Sequence, residues 1–290
     1  MTMPKCFISC DWGTTNFRLK VVETSSLKVL AEHSTDCGIK SLFQLYSNGK
    51  REGQTQFFMD YLFQEVGKLP DQHQGHLIIA SGMASSNIGL QEMEYATFPF
   101  SANGENLLWK RISSDNKLNV LLVSGVKCET GMMRGEEVQA IGLAEYLAPF
   151  GRGTLILPGT HSKHLGYDLG NFISLKNFMT GELFEVLLKN SILANSVVAG
   201  PLTKSGKEAF LGGIDQGMNG RLGANLLTVR ARHLLKNCDK KDNYYFLSGL
   251  LIGEELGYLK DESGKVFLAA PQPISQLYKI ALEYFLPKHR

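Results

Sequence analysis

The sequence predicts an α/β protein made of two similar domains facing a central cleft. Three observations lead there. An apolar strand runs into a turn of small hydroxylated residues twice, at Asp11-Trp12-Gly13-Thr14-Thr15-Asn16 and at Pro158-Gly159-Thr160-His161. After each turn come strand-like segments, then a helical one, then mixed strands and helices. No Pro/Ser/Gly-rich linker separates the halves. Such an order builds layered α/β domains, here an N-terminal one over 1–133 and a C-terminal one over 134–290.

Taken in order, residues 5–10 (KCFISC) read as a buried strand, and 17–23 (FRLKVVE) alternate as a half-exposed strand does. Residues 28–33 give a third strand, so the three form an antiparallel meander with turns at 13–16 and 24–27. Phe57, Phe58, Tyr61, Leu62 and Val66 recur at helical spacing. Residues 77–80 and 118–123 are short apolar runs of the buried-strand type. A helix over 136–148 carries Val138, Ile141, Leu143 and Leu147. The second half repeats the order: strands at 154–157, 163–168 and 171–178, then a helix at 182–192. Helices at 222–236 and 243–259, a strand at 265–269 and a helix at 274–285 complete it.

Charge is nearly balanced, with 30 basic and 28 acidic residues. No dense basic block is present, which argues against nucleic acid or an acidic membrane surface as partner. Five scattered cysteines without a CxxC pair argue against a disulfide framework or a zinc site. The N-terminus has no signal-peptide pattern. No run approaches the about 20 apolar residues that span a bilayer. A cytoplasmic protein, monomer or homodimer, is the expectation.

The first turn carries the most specific chemistry. Gly13 permits a sharp turn, and Thr14, Thr15 and Asn16 offer N–H and side-chain donors to phosphate oxygens. Asp11, itself an anion, suits a hydrated Mg²⁺ better than phosphate. Arg18 follows on the next strand. An ordinary hairpin whose Asp and Asn cap the backbone is the plainer reading. No P-loop pattern is present, and the segment after the turn reads as a strand, not the helix of a dinucleotide fingerprint.

The second turn adds Ser162 and the cation Lys163 to Gly159 and Thr160. His161 serves either as a phosphate neighbour or as a structural, hydrogen-bonded residue. Between the turns lies Met133-Arg134-Gly135-Glu136-Glu137. Carboxylates at a helix start are favourable on electrostatic grounds alone. One of them could also accept the proton of an attacking hydroxyl, while Arg134 could pair with a substrate carboxylate. Gly82, Met83, Ser86 and Asn87, in a loop after a buried strand, could meet polyol hydroxyls. Thr180 reads as an N-cap and Glu182 as an acid in the first helical turn.

Together these motifs resemble the actin, hexokinase and heat-shock-protein 70 superfamily. Within it they resemble the 2-dehydro-3-deoxygalactonokinase (2-keto-3-deoxygalactonate kinase) family. The stretches that carry the likeness are DWGTTNFR (11–18), SGMASSNIG (81–89), MRGEEVQAIG (133–142), LPGTHSKH (157–164), FMTGEL (178–183), VRARHLL (229–235) and FLSGLLIGEE (246–255). The resemblance implies two actin-like ATPase (ribonuclease H-like) domains; this chain departs from the family pattern in stopping at Arg290, so that the second is expected without its final strand and helix. It implies ATP- and Mg²⁺-dependent phosphorylation of 2-dehydro-3-deoxy-D-galactonate at its terminal hydroxyl, in D-galactonate catabolism. Glu136 would be the catalytic base, with Glu137 in reserve. Asp11 would hold Mg²⁺ through water. Gly13, Thr14, Thr15, Asn16, Gly159, Thr160, His161, Lys163, Ser248 and Gly249 would bind the nucleotide. Arg18, Gly82, Met83, Ser86, Asn87, Arg134 and Glu182 would meet the sugar acid. Where the family carries a Gly-rich turn before its penultimate helix, this chain has Ala269-Ala270-Pro271-Gln272-Pro273.

Two other functions share these signals. One is a phosphohydrolase of the exopolyphosphatase type, whose opening motif is similar. The other is a catalytically weak homologue that binds the sugar acid without turning over ATP.

Overall fold

A computed structural model describes residues 3–49, 53–113 and 118–290. The chain forms two compact units, Met1–Tyr146 with Gly170–Ile173, and Leu147–Leu169 with Ser174–Arg290.

In the first unit β1 (Cys6–Trp12), β2 (Phe17–Glu23) and β3 (Val29–Thr35) make the antiparallel meander expected from the alternation. Helices α1 (Ile39–Asn48) and α2 (Gln54–Val66) follow, then β4 (Leu77–Gly82). Short strands β5 (Ala96–Thr97) and β6 (Phe100–Ser101) precede β7 (Trp109–Ser113) and β8 (Asn119–Val123). After them come β9 (Val126–Cys128), β10 (Gly131–Met133) and α3 (Glu136–Leu147). The main sheet has the order β3-β2-β1-β4-β8-β7, with β4 parallel to β1 and β8 parallel to β4. The antiparallel meander is thus extended on the β1 side by the parallel strands β4 and β8. Ile8, Cys10, Trp12, Leu19, Ile78 and Val120 from the sheet are buried with Phe58, Met59 and Leu62 of α2. Apolar burial on this scale, at about 25 cal/mol per Å², is what holds a sheet against its helices.

In the second unit β11 (Arg152–Leu157) is antiparallel to β12 (Ser162–Asp168), and β13 (Asn171–Phe178) follows, belonging to this unit from Ser174 onward. Then come α4 (Thr180–Lys189), α5 (Lys204–Gly217), α6 (Leu222–Lys236), α7 (Lys240–Leu256), β14 (Lys265–Leu268) and α8 (Ile274–Phe285). The strand order is β14-β11-β12-β13, and β14 runs parallel to β11. One core gathers Ile156, Phe210, Ile214, Ile252, Leu256 and Tyr278; another gathers Val197, Val229, Phe246 and Leu250.

The structure adds elements that the pattern did not reveal. Helix α1 was not expected, nor were β7 and the short strands. Helix α5 carries Gly206, Gly212, Gly213 and Gly217, and its sequence lacks a helical signal because glycine disfavours helix by about 1 kcal/mol each. Contact places α3, as far as Tyr146, with the first unit, whereas the sequence boundary at 133/134 assigns it to the second. All five cysteines are free thiols. Among the described residues no helix is long and apolar enough to cross a membrane.

Candidate active site

Strand order decides where the motifs of the first unit meet. β1 and β4 lie side by side and parallel, with Trp12 opposite Gly82. The turn after β1 and the loop after β4 therefore leave the same end of the sheet. In open α/β sheets that carboxyl end is where ligands bind.

The first turn closes on itself through the Gly13 N–H, which donates to the Asn16 carbonyl at 2.9 Å. Its carbonyls are occupied from the other side. Gly38, Ile39 and Lys40, at the start of α1, donate backbone N–H groups to the carbonyls of Thr15, Gly13 and Thr14 at 3.0–3.1 Å. That explains α1: its first N–H groups, unpaired within any helix, brace the turn. Thr14, Thr15 and Asn16 remain exposed, and Asn16 Nδ2 donates to Thr15 Oγ1 at 3.1 Å. Trp12 is fully buried against Phe17, Phe58 and Tyr61, anchoring the turn in the core. Asp11 is half exposed and pairs with Arg18 at 3.0 Å, directly opposite it on β2.

Two glycines bring the third segment in. Gly82 has φ +80°, and a Cβ there would stand 2.8 Å from the Trp12 carbonyl oxygen. Gly135 has φ +110°, and its Cβ would stand 3.2 Å from the Gly82 Cα. Only glycine tolerates both the backbone angle and the approach. The start of α3 is thus pressed against the β4 exit.

Arg134 ties the same two segments together. Its Nη1 donates to the Ser85 carbonyl and, at 2.7 Å, to Ser85 Oγ. Its Nε donates to Tyr95 Oη at 3.2 Å, and its guanidinium carbon lies 4.1 Å from the Tyr95 ring centroid. Much of its donor capacity thus goes to the protein. In the loop, Ser86 is buried and donates to the Met83 carbonyl at 2.7 Å, Met83 is half-buried, and Asn87 is exposed.

The two carboxylates differ. Glu137 is fully buried, and both its oxygens accept the Gly135 N–H at 2.8 Å. Burial pushes its carboxyl up to about 8, against the pull of those backbone bonds. Glu136 is half-buried, and its Oε2 accepts the Arg134 N–H at 3.0 Å.

The second unit builds its own site around the Pro158–His161 turn. Thr160 and His161 are exposed. Lys163 is buried, with Nζ donating to the His161 carbonyl at 3.0 Å, so its chain runs beneath its own turn. The start of α4 packs on the turn: the Glu182 N–H donates to the Thr160 carbonyl at 3.0 Å, and Glu182 Oε2 meets His161 Nε2 at 2.5 Å. The structure therefore sets Glu182 beside the second turn, and Arg18 on Asp11 at the first.

Beside that turn lies a cavity of about 250 Å³. Gly159, Thr180 and Gly181 line it close together, and Phe184, Tyr244, Leu251, Ile274 and Leu277 supply apolar lining. Ser248 lines it, while Gly249 faces the other way, into α5, where a Cβ would stand 2.1 Å from the Phe210 carbonyl oxygen. Pro273, from the Gly-free turn, also lines the cavity. Sequence reasoning missed Tyr95, Tyr244 and the cavity walls. They are apolar or aromatic residues scattered over the chain, with no local pattern to mark them.

The sequence pattern of the 2-keto-3-deoxy-galactonokinase family matches residues 11–290. The 2-dehydro-3-deoxygalactonokinase of Escherichia coli (strain K12) is 30% identical over 263 residues, covering 88% of this chain and 80% of that protein. A Rhizobium meliloti (strain 1021) protein named as a probable 2-dehydro-3-deoxygalactonokinase, DgoK1, is 29% identical over 291 residues, with 98% and 90% covered. The crystal structure of a Sinorhizobium meliloti protein assigned as a 2-dehydro-3-deoxygalactonokinase matches with a TM-score of 0.78 at 26% identity. It covers 96% of this chain and 88% of that one. A family pattern running from Asp11 to Arg290, on a fold shared with that crystal structure, shows that the chain belongs to the 2-keto-3-deoxy-galactonokinase family of sugar kinases.

Proposed function

We propose that the protein transfers the γ-phosphoryl group of ATP to the terminal hydroxyl of 2-dehydro-3-deoxy-D-galactonate, giving the 6-phosphate and ADP, in the cytoplasmic breakdown of D-galactonate. One observation carries this reading beyond family membership. An exposed hydroxyl-bearing turn, a polar loop and a half-buried carboxylate converge at one end of the first-unit sheet.

In this reading Glu136 is the base. It accepts the proton of the sugar hydroxyl as that oxygen bonds to the γ-phosphorus, and ADP departs. Phosphoryl transfer asks the protein mainly for positioning and charge neutralisation. Thr14 and Thr15 offer donors to phosphate oxygens. Asn87, with whatever donor capacity Arg134 keeps, meets the sugar acid. Glu137 is sealed by burial and both its oxygens are engaged, so its role is to hold Gly135 and the start of α3. The second-unit cavity takes the adenosine moiety: its apolar lining suits a base, and Gly159 of the second turn is part of that lining.

The donor set fits Mg²⁺. Among the described residues no group of three or more His, Cys, Asp or Glu could cage a metal. Mg²⁺ is commonly held by one or two carboxylates, water and substrate phosphates, and Asp11, with the neighbouring threonine hydroxyls, supplies that minimum. When bound, the ion neutralises charge on the transferring phosphoryl group.

An ADP-release assay over a panel of 2-keto-3-deoxy acids, with and without Mg²⁺, tests the proposal. We expect acceptor-dependent and Mg²⁺-dependent turnover, fastest with the galactonate-derived acid. Phosphate release from ATP or polyphosphate without an acceptor would overturn it in favour of a hydrolase.

A further inference from the structure

Behind the second-unit cavity lies a polar network that the proposed reaction does not use. At its centre is Glu255, on α7, which is 1% exposed. Its Oε1 faces His164 Nε2 at 2.8 Å, and His164 is buried as completely. Its Oε2 accepts the hydroxyls of Thr180 and, at 2.7 Å, of Tyr278. The Tyr278 hydroxyl also lies 3.2 Å from Ser162 Oγ, and His164 Nδ1 lies 2.8 Å from Tyr258 Oη.

A carboxylate removed from water costs several kcal/mol unless well-placed partners compensate it. A hydrophobic group of similar volume avoids that cost, so stability alone is a poor reason for Glu255. Its geometry suggests another. Thr180 opens α4 and Tyr278 lies on α8, and both line the cavity. Ser162 and His164 belong to β12, which begins where the second turn ends. One buried carboxylate therefore indexes α4, α7 and α8, and through His164 the strand that carries the turn.

We infer that Glu255 is a positioning residue for nucleotide binding, fixing how α4 and α8 meet at the cavity through the hydroxyls of Thr180 and Tyr278. The inference rests on the reading of this cavity as the nucleotide pocket. Two donors on one oxygen fix direction more tightly than one. Loss of either leaves the carboxylate under-satisfied and lets one wall relax.

The test is calorimetric binding of a non-hydrolysable ATP analogue with Mg²⁺ to Thr180→Val, Tyr278→Phe and Glu255→Gln, beside steady-state kinetics and melting temperature. Removing one hydrogen bond to a charged group should weaken nucleotide binding about tenfold. The KM for ATP should rise in step, while kcat at saturating ATP and the KM for the sugar acid stay within about twofold of the parent. A lowered melting temperature with parental nucleotide affinity in Thr180→Val and Tyr278→Phe would overturn the inference, reducing the network to a structural one. Leu277→Trp, which fills the cavity, separates the two failures. If it abolishes analogue binding while the hydroxyl variants bind normally, the pocket reading stands and the positioning role falls. If it binds the analogue like the parent, the pocket reading falls and takes the inference with it.

Discussion

Glu136 and Glu137 share a peptide bond, yet burial gives them different work. Glu136 keeps contact with solvent, and one of its oxygens is held by the Arg134 N–H. Glu136→Gln keeps shape and backbone contact but cannot take a proton. Its turnover should fall by about 10²–10⁴-fold, the usual worth of a general base, with analogue binding retained. Turnover within tenfold of the parent would exclude Glu136 as the base. Glu137 answers a different experiment. Burial raises its carboxyl from the ordinary 4.5 to about 8. Between those values the native state holds a proton that the unfolded chain has released. Stability from this group is thus full below about pH 4.5 and is lost as pH rises through about 8. Glu137→Gln, which cannot ionise, should show a flatter fall in melting temperature from pH 5 to 8.5 than the parent. Parallel profiles would mean that Glu137 is ionised throughout.

At the scale of elements, the site depends on backbones that touch. Gly135→Ala places a Cβ on a residue at φ +110° and 3.2 Å from the Gly82 Cα. The left-handed region costs a non-glycine residue about 1–2 kcal/mol, and the close approach adds to it. We expect stability to fall by about 2 kcal/mol or more in urea titration, with a larger loss of activity because the start of α3 moves. Unchanged stability would show that the junction can give way. These contacts mark the limit of what the sequence discloses. DWGTTN, SGMASS and MRGEE are legible because turns, caps and charged helix starts have local chemistry. Which of them meet is decided by the parallel pairing of β1 and β4, and pairing has no local signature. Ser248 and Gly249 make the point in the second unit. They are neighbours in one motif, but a helix turns successive residues by about 100°. Ser248 lines the cavity and Gly249 meets α5. The glycines that hide α5 from a helical reading are those that let it approach α7: at Gly213 and Gly217 a Cβ would stand 2.3 and 2.2 Å from α7 carbonyl oxygens. Tyr95 and Glu255 were illegible for a further reason. Each acts through a partner tens of residues away.

At the scale of the whole chain, each unit has its own core and its own polar turn. The first core joins β1, β2 and β4 to α2, while those of the second draw on α5, α7 and α8. A ligand that binds the native state stabilises most the region whose opening would release it. The two substrates should therefore leave separate footprints in amide hydrogen exchange. The sugar acid alone should slow exchange at 82–87 and at the start of α3, in the first unit. Non-hydrolysable ATP analogue alone should slow it at the start of α4, along 244–252 of α7 and at 274–278 of α8. The measurement is peptide-resolved exchange on the full chain with each ligand separately. Nucleotide protection confined to the first unit would remove the cavity from the nucleotide path. Sugar-acid protection at α4 and Glu182, without any at 82–87, would move the acceptor site to the second turn. It would also make the His161–Glu182 pair, rather than Glu136, the group to test as base.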